Sequence, residues 1–362
     1  MAAGSAVEVL VNPESWRGRR VLVTGHTGFK GGWLSLWLHK MGAQVIGLSL
    51  PAPTEPSFFE QTGLAELIDH RIGDVRDESI VREAIADARP EVVLHLAAQP
   101  LVRYSYDNPV ETYATNVMGT VHVLEACRHT PSVKAVVSIT TDKCYENREW
   151  IWPYRENDPM GGYDPYSSSK GAAELVISAY RRSYPDGPSL ASVRAGNVIG
   201  GGDWALDRLV PDIVRAMLAG RNVEVRNPNS VRPWQHVLEA LGGYLIIAGR
   251  LLQNDRSVAT AYNFGPSDDD TQPVSWVVEK MLRAWGGSST WVKPEGAQPH
   301  EATLLRLDCS KARAELNWKP RLRLEEALAK VVEWHKEVDR SGDARTISLA
   351  QIEDYQQRLA SA

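Results

Sequence analysis

Tyr166 and Lys170 stand four residues apart in Tyr166-Ser-Ser-Ser-Lys170, at the head of a stretch, Gly171 to Tyr180, with helical apolar spacing. An i, i+4 pair shares one helix face, where an ammonium lowers the pKa of a phenol and makes tyrosine a usable base near neutral pH. Taken alone, the pattern also describes an ordinary exposed helix pair. Thr140-Thr141-Asp142-Lys143 follows the apolar run Ala135 to Ile139 directly. A hydroxyl at the tip of a central strand stands where open α/β sheets bind ligand, and the next two residues can project an acid and a base into the same crevice. Read in isolation, this tetrapeptide is equally a turn or helix cap.

The elements that must position these groups begin with Arg20-Val-Leu-Val-Thr24, a β-branched run that enters Gly25-His-Thr-Gly-Phe-Lys-Gly31 and then an apolar-periodic stretch, Trp33 to Met41. Strand, glycine turn and helix in that order let the backbone approach a pyrophosphate, whose charge is favoured by the free N–H groups of the helix N-terminus. A tight turn without a ligand is the alternative. Lys30 invites a P-loop reading, but no Ser or Thr follows it and the glycine spacing differs. Further strands are expected at Gln44 to Leu50, Glu91 to Leu96, Ala135 to Ile139, Leu190 to Arg194 and Ala261 to Phe264, with helices at Ser79 to Ala88 and Val110 to His129. Alternation of this kind implies a doubly wound parallel sheet covered on both faces.

From Gly196 onward the chain is richer in loops, with helices at Leu209 to Ala219, Val274 to Trp285 and Leu324 to Val338. The expected organisation is a dinucleotide-binding domain over 12–195 with returning segments near 235–265, a smaller mixed α/β substrate-binding lobe over 196–345, and a C-terminal tail over 346–362. The second strand ends at Gly47-Leu-Ser-Leu50 and carries no carboxylate for a ribose, so this position does not decide between NAD and NADP, although no arginine is at hand for a 2′-phosphate. Asp74 and Val75 could reach an adenine edge, with a surface turn as the alternative. Leu96, Ala97, Ala98 and Gln99 would let a cofactor pass close above a strand tip.

Across 362 residues the net charge is -5 and the basic residues are scattered, which gives no reason to expect nucleic acid as a partner. Cys127, Cys144 and Cys309 are odd in number and far apart, arguing against a disulfide framework and a zinc site. The Asp268 to Asp270 run reads as a solvated loop, not a metal cage, and Cys144 as a packed thiol. No apolar run approaches the roughly 20 residues that cross a bilayer, and Met1 to Pro13 lacks the features of a secretory signal, so a cytoplasmic protein without a membrane partner is expected.

The glycine loop, Asn116 in Asn116-Val-Met-Gly-Thr120, the Thr-Asp-Lys run and Tyr-x-x-x-Lys together resemble the extended short-chain dehydrogenase/reductase family, with its Rossmann-type fold. Longer motifs, Thr140 to Asn147, Glu156 to Tyr166 and Arg232-Pro-Trp-Gln-His-Val237, resemble its sugar-nucleotide 4,6-dehydratases, in particular the branch acting on CDP-D-glucose. The similarity runs from about Asn12 to Pro320. It implies NAD held by Gly25, Thr27, Gly28, Phe29, Lys30, Gly31, Asp74, Val75, Leu96, Ala97, Ala98, Gln99, Asn116, Thr140, Tyr166 and Lys170. It further implies catalysis by Thr141, Asp142, Lys143, Tyr166 and Lys170, with Asp142 as general acid and Lys143 where related dehydratases carry a glutamate base. The product would be the 4-keto-6-deoxy sugar, an early step towards deoxysugars of bacterial surface polysaccharides.

For the substrate, Arg232 resembles the arginine that grips the diphosphate, Asn197 a residue that contacts the nucleotide phosphates, and Arg103 and His300 are further candidates for the pocket. A homodimer or dimer of dimers is implied, paired through the Val110 to His129 and Tyr166 to Ser183 helices. A 4-epimerase or a dehydratase for another nucleotide sugar shares most of these features, but an epimerase has no need of Asp142 with Lys143. An NAD-sensing regulatory protein would have no reason to keep Thr141, Asp142, Tyr166 and Lys170 together.

Overall fold

Short apolar β-branched runs alternate with helical segments, and in the computed structural model the runs pair into one parallel sheet. Residues 11–294 and 304–361 are described. Seven strands form the sheet: β1 (Arg20–Thr24), β2 (Gln44–Ser49), β3 (Asp69–Ile72), β4 (Val92–His95), β5 (Ala135–Ile139), β6 (Ser189–Ala195) and β7 (Ala261–Phe264). Their order is β7-β6-β5-β4-β1-β2-β3, and every pairing is parallel. The chain winds outward to β3 and returns to lay β4 on the other side of β1. That reversal opens a crevice above the tips of β1 and β4, where such sheets receive ligands.

The helices are α1 (Phe29–Lys40), α2 (Glu78–Ala88), α3 (Gly119–Arg128), α4 (Pro165–Ser183), α5 (Leu209–Leu218), α6 (Val237–Leu252), α7 (Val274–Trp285), α8 (Leu324–Ser341) and α9 (Ala344–Ala360). Strand periodicity explains why the central runs are apolar throughout. Val21, Val23, Val92 and Leu94 point into the core shared with α1, α6 and α9, while Leu22 and Val93 point into the opposite core with α2, α3 and α4. Each such side chain contributes about 1.5–3 kcal/mol on burial. A separate cluster of Val210, Ile213, Val214, Val277, Val278, Met281, Leu328 and Val331 packs α5, α7 and α8 together.

Three departures from the sequence pattern have local causes. The single helix expected over Val110 to His129 is a short helix Pro109–Tyr113, a π-helical turn Ala114–Met118 and then α3. The wider turn carries Asn116 inward, where it bonds the Gln99 backbone and Ser169. Strand β3 lies outside the expected strands, because it is an edge strand whose side chains are all exposed or half-buried. The stretch read as a tail is helix α9, whose Tyr355 packs edge-on against Trp37 and donates to Glu239 at 2.7 Å.

The glycine turn fits its surroundings unequally. Gly25 has φ +77°, and a Cβ there would meet the Ala97 backbone nitrogen at 2.8 Å; one on Gly31 would overlap the Gly25 carbonyl. A Cβ on Gly28 would touch only the Gly25 oxygen, at 3.4 Å. Gly31→Ala is therefore expected to lower stability by about 3 kcal/mol or more in denaturant unfolding, and Gly28→Ala by less than about 1 kcal/mol. Equal losses would show that the fold, not a ligand, demands glycine at position 28.

Candidate active site

The crevice is walled by the tips of β1, β4, β5 and β6. Thr24, the last residue of β1, accepts from the backbone N–H groups of Leu96 and Ala97, both at 3.1 Å, and pairs with His95 Nδ1 at 2.8 Å. This ties the glycine turn to the chain leaving β4. His95 is buried beside Lys170 and held neutral, its pKa pushed down to about 3 by burial and then by that ammonium.

Gly28 caps α1 without a side-chain acceptor, so the first N–H groups of that helix remain available to an anion. Gly28 also has room for a Cβ that only a ligand would forbid. These residues fit the pyrophosphate of a dinucleotide. Other predicted cofactor contacts are placed differently. Thr27 Oγ1 is engaged with Ser49 at 2.8 Å and the Leu50 carbonyl at 2.9 Å, and the Phe29 ring lies against Gly200. At the adenosine side Asp74 is paired with Arg76 at 2.6 Å, and Val75 packs on Gly119. The Gln99 side chain is consumed by Leu101 and Thr112. Asn116 braces Gln99 against Ser169, and Thr140 turns its hydroxyl away from the crevice onto Glu174. These three side chains support the site's walls. Ala97 and Ala98 line the strand exit as half-buried small residues.

Tyr166 and Lys170 lie in the first turns of α4, started by Pro165 and capped by Asp164, whose carboxylate accepts from Ser167 N–H at 2.9 Å. Both are buried. Burial pushes the Tyr166 phenol up to about 12; the neighbouring Thr141 hydroxyl opposes that rise, the Asp142 carboxylate adds to it and the Arg208 guanidinium opposes it. The i, i+4 spacing assigns this role to Lys170. In the structure its ammonium, lowered to about 8 by burial, donates to the Ile139 carbonyl at 3.3 Å.

Thr141 caps the short turn Asp142–Cys144 and donates to Asp142 Oδ1 at 2.9 Å. Asp142 is 3% exposed, and its other oxygen, Oδ2, has no hydrogen-bond partner. Burial raises its pKa, against the opposing pull of Lys143, Thr141 and Arg232. A carboxylic acid kept protonated in this way can donate to a leaving group. Lys143 is half-buried beside it.

Arg232 ends a two-residue strand and its charge reaches Asp142. Asn197 follows β6, its carbonyl accepting from Gln235 N–H at 2.9 Å. Arg103 instead pairs with Asp207 at 3.5 Å, at 40% side-chain exposure. His300 lies outside the described residues. Sequence reasoning missed Arg208, which bonds the buried Asp203 at 3.1 Å and acts on both Tyr166 and Lys30. It also gave Lys30 no role beyond the glycine loop. Its ammonium stands between Lys170 and Arg208, which repel it, and Asp142 and Asp203, which attract it, with its pKa lowered to about 7 chiefly by burial. The turn and loop spacing of these residues carries no periodic signal. Among the described residues no group of His, Cys, Asp and Glu is arranged to hold a metal ion, and no helix is long and apolar enough to cross a membrane.

A doubly wound parallel sheet with a glycine turn beneath, and a tyrosine, a lysine and a buried acid above, defines a dinucleotide-dependent enzyme of the short-chain dehydrogenase/reductase type. The chain belongs to the GDP-mannose 4,6 dehydratase family, whose model matches residues 22–331. It is 54% identical over 353 residues to CDP-glucose 4,6-dehydratase of Salmonella typhimurium, covering 96% of this chain and 98% of the relative. It resembles the UDP-glucose 4-epimerase of Thermus thermophilus in complex with NAD, with TM-score 0.75 and 25% identity over 88% of this chain and 99% of that one. The dTDP-glucose 4,6-dehydratase of Bacillus anthracis in complex with NAD shares the fold, with TM-score 0.73 and 22% identity over 89% and 98% of the two chains.

The raised Asp142 pKa has a testable sign. The ionised form is disfavoured in the folded state, so the cost is absent in acid and grows as pH rises through the ordinary carboxylate range to the folded value. Asp142→Asn is expected to melt a few degrees higher than the parent at pH 7.5, with the gain gone near pH 3. A variant that loses stability at pH 7.5 but not in acid would show that Asp142 is a stabilised carboxylate.

Proposed function

We propose that the chain is an NAD-dependent hydro-lyase that converts CDP-D-glucose to CDP-4-keto-6-deoxy-D-glucose and water. The observation that carries the choice of dehydration over epimerisation is Asp142, a buried carboxyl with one free oxygen beside Tyr166. The sequence identity with the Salmonella enzyme supports the cytidine nucleotide.

Held at the glycine turn by Gly25, Gly28 and Gly31, NAD would supply the hydride acceptor for sugar C4 and the hydride donor for C6. Tyr166 receives the proton of the C4 hydroxyl, with the positive charge of Arg208 favouring the phenolate that this requires. Lys170, anchored on the strand-tip carbonyl, would hold the nicotinamide ribose. Once C4 is a ketone the C5 proton is acidic, and we assign to Lys143 both its removal and its return to C5 when C6 is reduced. Asp142 protonates the departing C6 hydroxyl. Arg232 suits the diphosphate because a planar fork matches phosphate oxygens, and Asn197 flanks the same path. The protein works in the cytoplasm.

The same reading makes the protein a homodimer or a dimer of dimers. Val110 is 82% exposed, Leu175 62% and Met118 47%, on neighbouring helical segments that pack on one another, an apolar surface suited to pairing with its copy.

Incubation with CDP-glucose without added NAD is expected to yield the 4-keto-6-deoxy product by mass and NMR; unchanged CDP-glucose, with NAD supplied as well, would reject the reading. Tyr166→Phe should lower kcat by about 10²–10⁴-fold with the fold intact by circular dichroism. Asp142→Asn should accumulate enzyme-bound NADH in a single turnover, and its absence would remove Asp142 from the elimination step. Leu175→Asp should shift the sedimentation coefficient to that of a monomer, whereas an unaltered dimer would place the interface elsewhere.

A further inference from the structure

Beneath the crevice lies a buried ionic network that the catalytic assignment does not use. Glu174 is one helical turn beyond Lys170 on α4 and 4% exposed. Its Oε2 accepts from Arg194 Nη2 at 2.8 Å and Ser192 Oγ at 2.9 Å, both on β6, and its Oε1 accepts from Thr140 Oγ1. Arg194 in turn donates to the Tyr145 hydroxyl at 2.7 Å and the Glu156 carbonyl at 3.0 Å. Two consecutive turns of α4 thus grip consecutive residues of the β5 tip. Lys170 holds the Ile139 carbonyl, Glu174 holds the Thr140 hydroxyl, and Thr141 and Asp142 follow immediately.

We propose that Glu174 is a positioning residue for the reaction: through Thr140 it fixes the strand tip that carries Thr141 and Asp142, and it supplies the buried negative charge facing the Lys170 ammonium. This rests on the functional reading above. The other groups facing Lys170 are Lys30 from α1, His95 from β4 and Cys144 from the turn after β5; His95 is neutral, so Glu174 is the anion that favours the charged amine. Removing its charge leaves Arg194 uncompensated in the same interior, which penalises a second cation there. A displacement of about 1 Å at the tip would misalign both Thr141 and Asp142.

Three variants test this. Glu174→Gln is expected to lower kcat about tenfold or more with KM within about twofold, and to move the alkaline limb of the kcat–pH profile about one unit towards acid. Glu174→Asp keeps the charge but loses reach, so its limb stays in place while kcat falls. Thr140→Val removes the grip alone: kcat falls, the limb does not move, and amide hydrogen exchange over Ile139 to Lys143 accelerates. That exchange measurement needs no substrate, so faster exchange in a protein inactive on CDP-glucose would retain the positioning role and reject the functional reading. The inference is overturned if Glu174→Gln, folded, keeps the parental limb and kcat. Should Glu174→Gln fail to fold, parental exchange and kcat in Thr140→Val would overturn it.

Discussion

Desolvation of charge at the strand tips is the constraint around which the crevice is organised. Lys30, Lys170, Arg208, Asp142 and Asp203 converge on the space at the tips of β1, β4, β5 and β6, with Glu174 and Arg194 buried beneath it, and water is largely excluded from both. Each charge there needs a partner or must become neutral. Glu174 and Arg194 satisfy each other, as do Arg208 and Asp203. Asp142 has only partial compensation, and its carboxyl is pushed towards the neutral form; Lys30 and Lys170 are lowered towards neutral pH. Groups left imperfectly paired are those able to give or take a proton, because a fully satisfied ion has little tendency to do so.

The sheet makes this convergence possible. In a parallel sheet all strands end on the same side, so residues distant in sequence, such as Gly25, Thr141 and Asn197, emerge towards one opening. Helix α4 then serves as a ruler. Tyr166, Lys170 and Glu174 descend along it at four-residue intervals from the crevice to the buried network, and the lower two hold the β5 tip. Arg208, just before α5, and Arg232, at the end of a two-residue strand, come from the part of the chain that has its own apolar cluster.

Much of the fold was legible from pattern. Runs such as Arg20 to Thr24 and Ala135 to Ile139 read as strands because both faces of a covered sheet are apolar, and α7 matched the expected Val274 to Trp285 because its apolar stripe faces one core. Strand β3 was missed for the converse reason, since an edge strand need not be apolar on either face. Asn116 was recognised, but the π-helical turn that carries it inward was not, because a bulge inserts a residue without altering composition.

By itself, the sequence determined that a glycine turn, a Thr-Asp-Lys tip and a Tyr-x-x-x-Lys helix are present and in an order compatible with one crevice, since local spacing and strand periodicity are properties of the chain. Only tertiary structure decided which charge acts on which. The i, i+4 spacing set Lys170 near Tyr166; the folded protein adds the bond from that ammonium to the Ile139 carbonyl and brings the charge of Arg208, forty-two residues beyond Tyr166, to bear on the phenol. Electrostatic coupling depends on distance and burial, and neither is encoded in linear separation.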